Sequence, residues 1–235
     1  EKKSRVGGAC VSEFAVINET HYEYALGASV LGLMQRFVFE QTGLSNRIKT
    51  YVPMTPKLVF FPGDKKPTKI FRNPEELDLE LSKKWGEKGN VGLFRSDESK
   101  IIKFLQEGYY KAEIPTIEDA IQSLGNELTD LWIKGDAQTL LDHYFTSERT
   151  KTYMAMTVSE SGPVSLHDPY SAFTLPLMDS GSIFEGYYGF VNGGIWKVTE
   201  ELDNINKELG SKTILSAEIL SVDTNNNRLS YKQDN

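Results

Sequence analysis

The glycine pair in EKKSRVGGACV (residues 1–11) has a counterpart near the other end of the chain, in FVNGGIWKVTEEL (residues 190–202). Adjacent glycines mark sharp changes of chain direction, because glycine adopts positive φ without strain. After the second pair, apolar residues recur at helical spacing as far as Gly210. Short strands are predicted beyond it, at 213–215 and 219–222. Both ends of the chain are therefore predicted to combine helix and strand.

The middle of the chain predicts a mostly helical lobe with one β-hairpin. Two apolar stretches flank a Pro-Gly-Asp turn, which predicts the hairpin at about 57–72. Helical periodicity predicts several helices between 74 and 158. Asn73, Thr116 and Asp136 are predicted to cap helix starts, and Gly125 is predicted to end the helix that begins after Thr116. Residues 160–190 lose that periodicity, so strands and loops are expected there. The predicted fold class is α+β or α/β, with lobe boundaries near 56/57 and 189/190.

Composition limits the classes of function. The chain has 235 residues, 39% of them apolar, and a net charge of -7, which argues against disorder and against binding to a nucleic-acid backbone. One cysteine, Cys10, excludes an intrachain disulfide framework, and the three histidines have no metal-site spacing. No apolar run reaches the length of a membrane span. We therefore expect a soluble, cytoplasmic protein. Because the sequence begins with Glu1 rather than Met, we also expect it to be a piece of a longer protein.

Motifs at both ends resemble those of a flavoprotein family. Residues 1–8 resemble the E-x-x-x-R-x-G-G segment of proteins with two dinucleotide-binding domains. Residues 190–202 resemble a glycine-pair helix start, and residues 210–222 resemble the strand pair that follows it. The order and separation of these motifs are similar to those of the phytoene dehydrogenase-like branch of the FAD-dependent amine oxidase superfamily. The resemblance covers the ends of the chain well and its middle loosely.

The resemblance implies roles for five residues. Glu1 would hydrogen-bond the adenosine ribose, Arg5 would contact phosphate, and Gly7 with Gly8 would let the backbone lie against the cofactor. The backbone of Ile219 would contact the adenine edge. From the residues alone, Arg5 can equally be a solvated surface arginine and Glu1 a chain terminus without a fixed position. The family's G-x-G-x-x-G motif has no counterpart in this sequence, so the chain resembles an interior segment that would hold FAD poorly by itself.

The resemblance also implies that different parts of the chain have different roles. Residues 1–56 would be a partial Rossmann-like FAD-binding lobe, residues 57–189 a substrate lobe, and residues 190–235 a return to the FAD-binding lobe. The implied function is an FAD-dependent dehydrogenase or desaturase, present here as a fragment, that acts on an apolar small molecule. The alternative is a non-catalytic fragment or subunit that needs a partner chain to complete a dinucleotide site.

Other candidate sites keep two interpretations each. Cys10 is either a thiol near flavin or a small buried residue. The lysines near the hairpin turn either contact acidic lipid headgroups, as a peripheral membrane contact, or are solvated. The histidines have no nucleophile at a spacing typical of hydrolases. The sequence does not identify a catalytic acid or base. One aromatic set either lines a ligand site or belongs to the core: Phe184, Tyr187, Tyr188, Phe190 and Trp196.

Overall fold

The computed structural model describes residues 1–160, 162, 164–184 and 186–233, and its fold is α+β. The helices are α1 (Arg36–Gln41), α2 (Pro74–Trp85), α3 (Val91–Lys111), α4 (Ile117–Leu128), α5 (Ala137–Tyr144), α6 (Glu148–Glu160), α7 (Thr174–Ser180) and α8 (Lys197–Glu208). The strands are β1 (Ser12–Ile17), β2 (Thr20–Ala25), β3 (Thr50–Tyr51), β4 (Lys57–Val59), β5 (Thr68–Ile70), β6 (Phe190–Val191), β7 (Ala217–Asp223) and β8 (Arg228–Gln233).

The chain forms two compact units. The first, called the terminal unit, combines the two ends of the sequence, and the second, called the central unit, contains most of the helices. The terminal unit consists of Glu1–Leu31, Phe37–Tyr51 and Gly189–Asn235, and the central unit consists of Gly32–Arg36 and Val52–Tyr188.

The terminal unit contains two hairpins and a short strand pair. Strands β1 and β2 are joined by Asn18 and Glu19, both at positive φ, as a two-residue hairpin turn requires. Strands β7 and β8 form the second hairpin, with a bulge between Ile219 and Ser221. Strands β3 and β6 bring residues from distant parts of the sequence together as an antiparallel pair.

The central unit contains the main hydrophobic core. Its helices begin at well-formed caps: the side chain of Asn73 accepts hydrogen bonds at the start of α2, and Thr116 with Asp119 forms a capping box at the start of α4. Fully buried aromatic rings from α3, α5 and the turns near them form the centre of the core. These rings belong to Phe94, Trp132, Tyr144 and Phe145.

A buried polar chain crosses this core. The indole Nε1 of Trp132 donates to the hydroxyl of Tyr144 at 3.0 Å, and that hydroxyl donates to Asp97 Oδ2 at 2.8 Å. Lys100 completes the chain with an ion pair to Asp97 at 2.7 Å. Each of these polar groups therefore has a partner, which is the condition for burying them without a large cost.

Several sequence predictions are confirmed, and others are wrong. The hairpin near 57–72 exists as the pair β4–β5, and the predicted cap at Asp136 is formed. Residues 160–190 contain helix α7 rather than only strands and loops, because its apolar side chains are buried and Pro176 lies within its first turn, where proline is tolerated. The strand predicted at 213–215 is absent, since β7 begins at Ala217.

The described strands lend no support to a Rossmann-like sheet. Each of the four sheets formed by named strands has two antiparallel members, whereas a Rossmann lobe is built on parallel strands with helical crossovers. Among the residues that the model describes, no helix has both the length and the apolar composition needed to cross a bilayer.

Candidate functional site

The glycine pair at residues 7 and 8 forms a tight loop in the terminal unit. Gly7 and Gly8 have φ of 118° and 58°, and the backbone N–H of Cys10 donates to the Gly7 carbonyl at 2.7 Å. A β-carbon on Gly7 would lie 2.8 Å from Val11 Cγ1, so the chain's own packing requires glycine there. A β-carbon on Gly8 would meet nothing within 4 Å. Space for a ligand is therefore found beside Gly8 and not beside Gly7.

The segments that carry the two glycine pairs are in direct contact. The thiol of Cys10 donates to the carbonyl of Ile195 at 3.3 Å, and Thr199 Oγ1 donates to the carbonyl of Cys10 at 2.9 Å. Burial raises the pKa of the Cys10 thiol, so it stays protonated at neutral pH. These contacts agree with the interpretation of Cys10 as a small packing residue.

The first residues of the chain pair with the segment that leads into β7. Ala217 N–H donates to the Glu1 carbonyl at 2.8 Å, and Ser216 N–H donates to the Lys3 carbonyl at 3.0 Å. The Glu1 carboxylate accepts from Lys3 N–H at 2.9 Å, and this hydrogen bond lowers the pKa of Glu1. Glu1 therefore has fixed backbone partners in this structure.

Arg5 and Ile219 lie in the same unit but in different surroundings. The guanidinium of Arg5 donates to Glu13 Oε1 at 2.6 Å and to the Ser12 carbonyl at 2.8 Å. A phosphate at Arg5 would have to compete with Glu13. Ile219 lies opposite Tyr231 in the β7–β8 hairpin, with its side chain half exposed.

These residues fit FAD only in part. Gly8 offers open space to a ligand, and Glu1 is held beside the strand that contains Ile219. Arg5 is already paired, and Gly7 is explained without a ligand. The roles of all five residues stay predictions.

A cavity of about 530 Å³ lies in the central unit. Helices α3, α6 and α7, strand β4 and residues 186–188 form its walls. Its volume is within the range of small-molecule sites in proteins. Apolar wall residues include Phe94, Met154 and Leu175, all of them buried.

Charged and phenolic side chains also line this cavity. Arg95 and Glu98 form an ion pair at 2.5 Å. This contact offsets the cost of burying the two charges. Asp179 and the phenol of Tyr153 face the same space. Burial, followed by the charge of Glu98, raises the pKa of Asp179 to about 7, although Arg95 and Lys57 act in the opposite direction.

The aromatic set from the sequence divides between the two units. Tyr187 and Tyr188 line the central cavity. Phe190 stacks on Tyr51 with ring centroids 5.6 Å apart, and Trp196 is buried in the terminal unit. Two members of the set therefore line a cavity, and Trp196 belongs to the core.

The sequence prediction missed the charged residues of the cavity. Arg95, Glu98 and Asp179 were not among its candidates. One signal was available in α3. Glu98 and Ile101 follow Phe94 at i+4 and i+7, so Glu98 falls on the same buried stripe as these two apolar residues. An acidic side chain on a core-facing stripe indicates a buried polar site. Asp179 lies where no helical pattern was recognised, so nothing comparable marked it.

The histidines and acidic residues form no metal centre in the described part of the chain, where no three potential ligands lie close together. Comparison with known proteins adds no relative: no protein-family model matches the sequence, and no curated protein is similar enough to count as a match.

Proposed function

We propose that this chain is part of an FAD-dependent oxidoreductase similar to the phytoene dehydrogenases. Residues 1–56 and 190–235 would contribute to the FAD-binding lobe, and residues 57–189 would be the substrate lobe. The observation that carries the proposal is the contact between the two glycine-pair segments, through Cys10 with Ile195 and Thr199. These are the segments in which the sequence resembles the family, and they are separated by more than half of the chain.

In this proposal, FAD would supply the oxidation chemistry, in which a C–C or C–N single bond of the substrate becomes a double bond with loss of a hydride from C–H and of a proton. The protein would contribute position and a dry environment. Glu1 would bind the ribose, the open backbone at Gly8 would lie against the cofactor, and the β7 backbone at Ile219 would meet the adenine edge. Residues 1–3 pair with the segment before β7, so Glu1 and β7 would lie on the same side of the proposed cofactor site. An apolar substrate and a cytoplasmic location belong to the same proposal.

A second candidate is a non-catalytic fragment or subunit whose dinucleotide site is completed by a partner chain. Both hairpins of the terminal unit support it, because each exposes a set of large apolar side chains that single domains normally cover. The set on β1 and β2 is Phe14, Val16, Ile17, Tyr22 and Tyr24, and the set on β7 and β8 is Ile219, Leu220, Val222, Leu229 and Tyr231. The sequence encoded before Glu1 distinguishes the two: a strand followed by G-x-G-x-x-G favours the enzyme.

The glycine at position 8 provides a test of the flavin site. Gly8→Val is expected to lower flavin retention at least about tenfold, since a β-branched side chain would occupy the space beside the backbone. The ratio of flavin to protein absorbance after desalting measures retention in the protein that carries this chain.

Gly43→Val is the matched control, because Gly43 also has positive φ, lies in the same unit and has nothing within 4 Å of an added β-carbon. Both variants carry similar backbone strain. Equal flavin retention in the two variants would remove Gly8 from the site.

A further inference from the structure

One carboxylate in the central cavity accepts no hydrogen bond from a described group, although the charges of Arg95 and Lys57 act on it. Asp179 is on α7, and no described side chain or backbone group donates a hydrogen bond to its carboxylate. Burying an ionised carboxylate is costly unless a cation or a set of donors meets it. The raised pKa of Asp179 has this origin.

The backbone holds this carboxylate in place. Gly186 has φ of 83°, and a β-carbon there would overlap the Asp179 carboxyl group. The carboxylate therefore lies directly against the Gly186 backbone. Helix α7 is in turn tied to α3, because Gln106 Nε2 donates to the Ser180 carbonyl at 3.3 Å.

The other charged groups that face the cavity already have partners. On α3, Arg95 pairs with Glu98 at 2.5 Å. On α6, Glu160 accepts from the Tyr188 hydroxyl at 3.1 Å. On β4, Lys57 Nζ lies 5.3 Å from the centroid of the Tyr188 ring, a cation–π contact.

The remaining features of the cavity favour a positive ligand. Its described lining has two cations and three carboxylates, which leaves an excess of negative charge when Asp179 is ionised. The rings of Tyr153, Tyr187 and Tyr188 also face the space, and aromatic rings beside a carboxylate stabilise ammonium groups. Buried Phe94, Met154 and Leu175 supply an apolar wall.

We propose that the central cavity binds a molecule with an ammonium head group, which pairs with Asp179, and an apolar body, which lies against the apolar wall. The inference that the cavity binds such a ligand rests on the cavity residues alone. That the ligand is a substrate rests on the function proposed above.

The proposal predicts how affinity depends on pH. A cation binds the ionised form of Asp179, so binding releases a proton whenever Asp179 was protonated beforehand. Because the pKa of Asp179 is about 7 without a ligand, affinity for a permanent cation should rise as the pH increases through neutrality. Glu98, Glu160, Arg95, Lys57 and the phenols of Tyr153, Tyr187 and Tyr188 are the other titratable groups that line the cavity.

Three probes of matched length test the charge preference: octyltrimethylammonium, 1-octanol and octanoate, each titrated into the whole chain by calorimetry with no flavin added. At about pH 8, we expect the cation to bind at least about tenfold more tightly than either of the others. Asp179→Asn should abolish this preference and its pH dependence. It is expected to fold, because it removes a buried charge.

Asp130→Asn is the control, since Asp130 is an exposed acid of the same unit that pairs with Lys134. Met156→Trp, at an exposed residue of the cavity lining, should weaken all three probes by filling the space. Equal affinity for the three probes, or an unchanged preference in Asp179→Asn, would overturn the proposal. Cation binding by this chain, together with no FAD binding by a longer protein that also carries the G-x-G-x-x-G segment, would contradict the proposed function and leave the ligand site standing.

Discussion

Replacing Glu87 with glutamine is expected to lower the free energy of unfolding by about 3 kcal/mol at neutral pH. Glu87 is buried at the turn after α2, and its carboxylate joins this turn to the start of α6. Oε1 accepts from Gly89 N–H at 2.7 Å and from Thr146 N–H at 2.8 Å, and Oε2 accepts from Ser147 N–H at 3.1 Å. A glutamine amide would present its own N–H groups to some of these donors, which would then lose their acceptor.

The pH dependence of stability gives a second, independent reading of Glu87. Burial by itself would raise the pKa of Glu87, but the backbone N–H groups of Thr146, Gly89 and Ser147 outweigh it and lower the pKa from 4.5 to about 2. A depressed pKa stabilises the folded state above the unfolded value and loses that effect as the pH falls through the folded value. The contribution of Glu87 is thus complete above pH 4.5 and is lost between 4.5 and about 2.

Urea unfolding of the wild type and Glu87→Gln across this pH range measures the effect. The difference between them should shrink as the pH falls below 4.5, and Glu107→Gln, at an exposed acid of α3, should change stability by less than about 0.5 kcal/mol. A constant difference at all pH values would show that the carboxylate charge is not what Glu87 contributes.

Gly89→Ala is expected to destabilise the central unit by about 3 kcal/mol or more. A β-carbon on Gly89 would overlap the carbonyl oxygen of Tyr144 and lie 2.9 Å from the Phe145 Cα. Both are backbone atoms, and they cannot move aside as the end of a flexible side chain can. Asn90 N–H also donates to the Tyr144 carbonyl at 2.8 Å, so any shift of that carbonyl weakens a second contact.

Gly92→Ala is a matched control three residues further on. It lies in the first turn of α3, and the nearest atom to an added β-carbon outside the helix backbone would be Asn90 Oδ1 at 3.7 Å, which is ordinary van der Waals contact. Alanine favours helix over glycine, so Gly92→Ala should stabilise by about 0.5–1 kcal/mol. Opposite signs for the two alanines in thermal or urea unfolding are the expected result; equal effects would contradict the role of the Tyr144 contact.

Local structure was predictable from sequence where a chemical rule acts within a few residues. Asn73 and Thr116 were recognised as caps because an acceptor side chain before an apolar stripe satisfies free backbone N–H groups. The β4–β5 hairpin was marked by its turn residues. Gly125, which is predicted to end α4, has φ of 82° and ψ of 167°, so the regular helix is interrupted there and a second helical segment follows.

The candidate site depended on contacts that sequence patterns do not encode. The approach of Gly186 to Asp179 depends on how the chain packs, and so does the burial of the Arg95–Glu98 pair, which is itself a local i,i+3 contact within α3. The sequence alone does not show whether a charged side chain is solvated or buried. In the terminal unit, the motifs predicted that the two glycine-pair segments belong to one lobe. The pairing of Arg5 with Glu13 is visible only in the three-dimensional structure.

The central claim is that the terminal unit is part of an FAD site, and the most direct measurement is the FAD dissociation constant, obtained by flavin fluorescence. The chain alone is to be compared with a longer protein that also carries the G-x-G-x-x-G strand and helix. That helix start supplies charge-assisted hydrogen bonds to the pyrophosphate, of which two at about 1.5 kcal/mol each correspond to about a hundredfold in affinity. We predict bound flavin in the longer protein and binding at least about a hundredfold weaker in this chain. A dissociation constant below about 1 µM for the chain alone, or no FAD binding by the longer protein, would contradict the account.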